Sequence, residues 1–156
     1  MSVPKRNKLH SWSFVAVQGF ILILLIFTSS GFGPSSFSSN TIGRVLQLAG
    51  WVAIIVSAFN IRSVLTVEPL PRENGKLSTH GLYKYVRHPM YSGVLILSLG
   101  IAVTSGSLFK YLLVIFLLVL FFYKSSYEEK FLRAQYPEYE KYAKKTPRLF
   151  PFIIRR

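Results

Sequence analysis

The 156-residue sequence predicts an all-α polytopic membrane protein with four transmembrane helices and a cytoplasmic C-terminal helical tail. Three observations carry this prediction. Half of the residues (51%) are hydrophobic, and they lie in long runs rather than in short alternating blocks, the pattern of lipid-embedded helices. All but two of the 19 lysines and arginines, Arg44 and Lys110, fall on segments that four crossings would place on one side. There is no cysteine, which removes disulfides, thiolate metal sites and cysteine nucleophiles from consideration.

The first span covers about residues 12–28, Trp12 to Thr28, with no charge and a single Gln. Lys5, Arg6 and Lys8 precede it, and Ser29, Ser30 and Gly31 follow, as around a cleaved signal peptide. Its apolar run is longer than a typical signal core and three more spans follow, so a retained anchor is expected. Residues 29–40 are a Gly/Ser/Pro loop without charge. The second span covers about 42–61 and is charged only at Arg44. The third (about 89–105) and the fourth (about 107–124, with Lys110 at its edge) are short against the roughly 20 residues a bilayer needs. They either cross fully or form a re-entrant hairpin about Ser105-Gly106-Ser107, and charge alone does not separate the two. Beyond Lys124 the fourth span continues as an amphipathic helix to about Pro137.

Positive charge marks the cytoplasmic face. Both termini and the 62–87 connection are therefore expected there, in a prokaryotic inner or cell membrane. The net charge of +13 invites a nucleic-acid partner. The basic residues flank apolar spans and no nucleic-acid motif is present, so the expected partners are membrane lipids and not nucleic acid. A transporter is disfavoured because the spans carry no carboxylate or histidine at mid-depth.

All six acidic residues lie on the cytoplasmic side, so a polar site has to be built at that mouth of the bundle. Two clusters meet there. The first is residues 80–93, His-Gly-Leu-Tyr-Lys-Tyr-Val-Arg-His-Pro-Met-Tyr-Ser-Gly. Pro89 suits the first turn of a helix, which puts His88 at or beside the N-cap and Tyr91 one turn in. Free N–H groups, Arg87 and His88 together favour an anion there. The same residues also suit a plain headgroup-level belt of tyrosines and cations. The second cluster is Lys124-Ser-Ser-Tyr-Glu128-Glu129. Lys124 and Glu128 share a helix face, and one of the two glutamates can face the bundle and hold a cation. An ordinary solvated Lys–Glu pair is the alternative. Tyr136, Tyr139 and Tyr142 recur every third residue, as a stripe that docks on the bundle or anchors the tail at the interface. His80 and His88 lack a third ligand, so no metal site is expected.

Together the two clusters resemble the integral-membrane methyltransferases related to isoprenylcysteine carboxyl methyltransferase, and more distantly the phospholipid N-methyltransferases. The matching residues are Gly81-Leu-Tyr83, Arg87-His88-Pro89-Met-Tyr91-Ser-Gly93, Glu128-Glu129 with Leu132, Tyr139, Tyr142, and the closing stretch Pro147 to Pro151. The resemblance covers about residues 62–152, within a single membrane domain of 1–156. It implies S-adenosylmethionine as methyl donor, held at the cytoplasmic mouth by Gly75, Lys76, Leu77, Ser78, Tyr83, His88, Pro89, Tyr91 and Glu128. It implies catalytic roles for Arg87 and Lys124 and a lipophilic acceptor arriving from the bilayer. An isoprenylcysteine-like carboxylate is the first expectation for that acceptor. A phospholipid or small-molecule N- or S-methyltransferase, or a non-enzymatic protein that binds anionic lipid, are the alternatives. Lys124 stands where the prenylcysteine enzymes carry arginine, and a lysine cannot clamp a carboxylate bidentately. Tyr136-Pro137 stands where relatives often have Phe-Gly, and the additional membrane helices of the eukaryotic enzymes have no counterpart here.

Overall fold

A computed structural model describes residues 5–29, 36–61 and 77–151. The elements are α1 (Lys5–Phe27), α2 (Asn40–Ile61), a 3-10 turn (Gly81–Lys84), α3 (Pro89–Ser105), α4 (Leu108–Gln135) and α5 (Tyr139–Lys145). No strand occurs among the described residues. Helices α2 and α4 are each long and apolar enough to cross a membrane. The apolar stretches Trp12–Phe27 and Pro89–Ser105 are shorter. At about 1.5 Å per residue, α4 reaches roughly 42 Å and α3 roughly 25 Å, so α4 continues well past any apolar layer that α3 matches.

Local chemistry sets the ends. Pro89 opens α3 because its missing N–H costs nothing in a first turn. Gly106 closes α3 with φ 65°, and its N–H reaches the Ala102 carbonyl, the left-handed cap for which glycine carries no Cβ penalty. Helix α4 stops at Gln135, two residues before Pro137, and the Tyr136 N–H bonds to the Leu132 carbonyl.

Helices α2 and α3 pack antiparallel along a seam of four glycines. A Cβ on Gly43 would lie 2.8 Å from the Thr104 nitrogen and 2.9 Å from the Gly100 carbonyl oxygen. A Cβ on Gly50 would lie 2.5 Å from the Leu97 nitrogen and 2.8 Å from the Gly93 oxygen. Gly93 and Gly100 meet Ile54 and Gln47 in the same way. Glycine every seventh residue on both helices lets the two backbones touch, as membrane helices do when lipid supplies no hydrophobic push. Near one end Gln47 Nε2 donates to the Gly100 carbonyl (3.2 Å) and Thr104 Oγ1 (2.9 Å), so this polar pair is satisfied across the seam.

Helix α1 runs antiparallel to α4, with the Phe14 and Tyr127 rings 5.8 Å apart. The core consists of Ile21 and Leu25 of α1, Leu95 of α3, Leu113, Leu117 and Phe121 of α4, and Leu149 of the tail. Large apolar side chains also point outward, among them Phe20 and Ile23 of α1, Leu48 and Ile55 of α2, and Phe116 and Val119 of α4. Helices apolar on all sides belong in a larger hydrophobic surround. The topology gathers the C-terminal end of α2, the N-terminal end of α3 and the lower half of α4 at one mouth, and α5 with the tail closes over it.

Candidate functional site

His88 is the N-cap of α3, as the sequence places it, but its side chain makes no capping bond. Both ring nitrogens face α4 instead. Nδ1 is 3.3 Å from Glu128 Oε2 and Nε2 is 3.3 Å from Glu129 Oε1. Neither carboxylate can donate, so both contacts are hydrogen bonds only when the ring is an imidazolium. The adjacent glutamates thus grip one histidine from two sides, and from there their surroundings diverge.

Glu129 is a buried ion-pair hub, 2% exposed. Arg87 Nη1 donates to Oε2 (3.2 Å), while Arg148 donates from Nε to Oε1 (3.1 Å) and from Nη2 to Oε2 (3.2 Å). The fork of Arg148 therefore holds both carboxylate oxygens, the arrangement in which arginine binds most strongly. Arg133, one turn along α4, stands 3.7 Å from Oε2. Arg148 also reaches Ser126 Oγ at 2.7 Å. Its backbone is tied down as well: the Arg87 N–H bonds to the Pro147 carbonyl and the His88 N–H to the Arg148 carbonyl. Ser92 Oγ bonds to the Leu149 carbonyl. The segment Pro147–Leu149 is thus laid against the N-terminus of α3, and Glu129 locks it there.

Glu128 faces the other way and keeps 21% of its side chain exposed. Tyr91 OH donates to its Oε2 at 3.1 Å. The Tyr91 ring stacks between His88 (5.4 Å, 4°) and Phe121 (4.7 Å, 11°). Lys124 Nζ stands 5.0 Å from the centre of the same ring, and it donates to Gln18 Oε1 of α1 at 2.7 Å. A partly open carboxylate, an aromatic ring and a cation over that ring therefore adjoin one another.

Electrostatics follow from this packing. Burial alone raises the Glu129 carboxyl, but the His88 hydrogen bond and the charges of His88, Arg87 and Arg148 outweigh it and hold the group at about 2. Burial alone lowers His88, and the hydrogen bonds and charges of Glu128 and Glu129 more than reverse that, so it stays protonated above its ordinary 6.5. Burial, and then the charge of Glu128, push the Tyr83 phenol well above its ordinary 10. Tyr83 therefore stays a neutral phenol.

Of the residues singled out in the sequence, the structure brings Tyr83, Arg87, His88, Pro89, Tyr91, Lys124 and Glu128 to one mouth. Ser78 is beside the end of α2, with Oγ 3.5 Å from the Asn60 carbonyl, and Leu77 adjoins it. Gly75 and Lys76 lie outside the described residues. Arg87 has a partner of its own in Glu129. The expected tyrosine stripe is broken at Pro137. Tyr136 ends α4, whereas Tyr139 is 1% exposed inside the bundle and Tyr142 OH bonds to the Tyr83 carbonyl. These last two tyrosines dock the tail on the mouth.

Three participants were not singled out in the sequence. Arg148 was hidden in a basic tail, its one signal being a position between two prolines. Gln18 stood out only as the single amide in an apolar span. Asn60 gave no signal. Its Nδ2 is buried without a hydrogen-bond partner, and Gly81, at φ 59°, packs so close that a Cβ would collide with the Asn60 amide.

A model of the phospholipid methyltransferase family matches residues 39–139. A protein of Oryza sativa subsp. japonica named probable protein-S-isoprenylcysteine O-methyltransferase is 35% identical over 118 residues, which cover 72% of this chain and 61% of the rice protein. The cobalt-zinc-cadmium resistance protein CzcN of Cupriavidus metallidurans is 27% identical, covering 94% of this chain and 64% of that protein. Methanethiol S-methyltransferase of Crocosphaera subtropica is 28% identical, covering 97% and 69%. The chain thus spans about three fifths of the length of its rice relative.

Proposed function

Because the chain belongs to the phospholipid methyltransferase family, we propose that it is an integral-membrane methyltransferase using S-adenosylmethionine. In this reading four helices cross the bilayer, both termini are cytoplasmic, and the site opens at the cytoplasmic mouth of a prokaryotic cell membrane. The observation that carries the proposal is Glu128. It is a carboxylate at the mouth that is neither solvated freely nor neutralised by an arginine, and it is held by Tyr91 OH and His88 Nδ1.

The residues fit the donor. Glu128 has exposed surface left for an ammonium or ribose hydroxyls. Tyr83 offers a ring face to a sulfonium or an adenine, while Tyr91, its ring already stacked, holds Glu128 through its hydroxyl. The orphaned Asn60 amide beside Ser78 and Gly81 is a hydrogen-bond donor in need of an acceptor. Leu77, Ser78, His88 and Pro89, with Gly75 and Lys76, complete the expected contacts. S-adenosylmethionine, when bound, supplies a methyl group on a sulfonium whose leaving thioether is neutral.

The chain's own residues then have little acid–base work to do. Arg87 and Arg148 fix Glu129. The two glutamates fix His88, and His88 and Phe121 clamp Tyr91. Such a preorganised wall aligns the reacting atoms and excludes water, the two requirements of an in-line displacement. Lys124, on the α1 side of Tyr91, is the acceptor-side group.

The first acceptor we propose is a carboxylate on an isoprenylcysteine-like lipid, by analogy with the rice relative. The second is a small sulfur compound, favoured by lysine in place of arginine at 124 and by the relative named for methanethiol. Calorimetry of the detergent-purified protein with S-adenosylmethionine tests the donor. Heat is expected from wild type, and Glu128→Gln should weaken binding by at least roughly tenfold, the cost of one charged hydrogen bond. Equal binding by the variant sinks the assignment of Glu128.

A further inference from the structure

Lys124 is buried, 4% exposed, yet it has no carboxylate within 4.0 Å among the described residues. Glu128, one turn away, is already engaged by His88 Nδ1 and Tyr91 OH. The ammonium donates to Gln18 Oε1 and lies over the Tyr91 ring. Its other two protons, and the Gln18 amide nitrogen, have no partner among the described residues. A buried cation without a counter-ion is costly, and such charges are ordinarily paired. Gln18 is itself anomalous as the single amide in Trp12–Thr28, since an intramembrane polar group needs a hydrogen-bonding reason to be there. Its reason is Lys124. The neutral amide aims the ammonium without cancelling its charge, which a carboxylate at position 18 would do.

We propose that Lys124 and Gln18 form the seat of an anionic methyl acceptor, a carboxylate or a thiolate, at the seam between α1 and α4. Gln18 is the positioning residue, and its N–H group adds a second donor beside the ammonium. This rests on the methyltransferase reading above. In the transfer, the methyl–sulfur bond of the donor breaks and its electron pair stays on sulfur. A lone pair of the acceptor oxygen or sulfur forms the new bond to carbon. An acceptor that enters as an anion has no proton to give up, so the site needs no general base. The methylated product is neutral and no longer holds the ammonium, which favours its release. A carboxylate has two oxygens and uses both donors. A thiolate has one acceptor atom and uses Lys124 alone.

The test uses the full chain in nanodiscs with S-adenosylmethionine and three acceptors: N-acetyl-S-farnesylcysteine, a short alkanethiol, and phosphatidylethanolamine. Gln18→Leu and Gln18→Glu are compared with wild type for acceptor KM, kcat and donor affinity. Methylation of one of the two anionic acceptors is expected. Gln18→Glu, of the same size, neutralises Lys124 and should raise that acceptor's KM by roughly a hundredfold, with donor affinity unchanged. Gln18→Leu should raise the KM of a carboxylate roughly tenfold, the loss of one hydrogen bond to a charged group, and that of a thiolate far less. Methylation confined to the phosphatidylethanolamine amine, or a Gln18→Glu KM equal to wild type, overturns the seat. An anionic acceptor that binds wild type and not Gln18→Glu, in a protein that gives no heat with S-adenosylmethionine, supports the seat and overturns the methyltransferase reading instead.

Discussion

Glu129→Gln removes one charge and leaves the shape of the side chain almost intact, so it measures what the ion-pair hub contributes. Glu129 accepts from Arg87, His88 and Arg148 over 3.1–3.3 Å, and its side chain is 3% exposed. Its carboxyl is held at about 2 against an ordinary 4.5. At about 1.36 kcal/mol per unit this corresponds to about 3 kcal/mol of folded-state stability at neutral pH. Breaking one partner of a buried pair costs about 3–5 kcal/mol, which agrees. For a chain of this size, about 2–4 °C per kcal/mol turns 3 kcal/mol into a fall of roughly 6–12 °C in thermal midpoint. The assay is thermal unfolding in detergent, followed by helix circular dichroism. Because the folded pKa is depressed, the contribution is complete above pH 4.5 and is lost as pH falls towards 2. The wild-type midpoint should therefore drop across that window, and the Glu129→Gln midpoint should stay flatter. Glu128→Gln, at the partly open neighbour, should cost less than about 3 °C at neutral pH. If the two variants destabilise equally, or if Glu129→Gln is silent, the division of the two glutamates into a structural hub and an open ligand group is wrong.

Further outcomes follow from the same geometry. His88 has a raised pKa, so its contribution is present below pH 6.5 and lost as pH rises through the folded value; His88→Asn should abolish this alkaline-side decline in unfolding titrations. Arg148→Ala should release the tail, seen as faster proteolysis after Lys144 and Lys145, and its cost should be non-additive with Glu129→Gln by about 0.5–3 kcal/mol. Gly50→Leu or Gly93→Leu should abolish folded protein on size-exclusion chromatography, because a Cβ there meets backbone atoms that cannot move aside. Gly19→Ala, where a Cβ meets nothing within 4 Å, should leave the elution profile unchanged. Tyr91→Phe should keep the ring stack and lose the Glu128 hydrogen bond, weakening donor binding by roughly tenfold in calorimetry.

Much of the site was legible because its signals are local. Pro89 fixes a helix start, and a helix start fixes where His88 and Tyr91 stand. Lys124 and Glu128, four apart on one helix, must share a face. Long apolar runs mark the helices, of which α2 and α4 are long and apolar enough to cross a membrane, and the proline at 137 ends the last long one. The glycine seam could have been found too, since Gly43 and Gly50 on one helix and Gly93 and Gly100 on the next share a spacing of seven. What sequence spacing cannot carry is which of two adjacent glutamates faces which partner. That choice depends on the rotation of α4 against α3, set by packing of Leu113, Leu117 and Phe121 in the core. Nor can spacing show that Arg148, nineteen residues from Glu129, returns to hold it, or that Gln18 reaches Lys124 from the far end of the chain. Hydropathy, charge and turn geometry within a few residues set the helices, the apolar surroundings they suit and the chemical types at the mouth. The roles depend on the tertiary structure, which buries Glu129 among cations, keeps part of Glu128 exposed and, among the described residues, leaves Lys124 without a counter-ion, because a charge's function is set by what neutralises it in space.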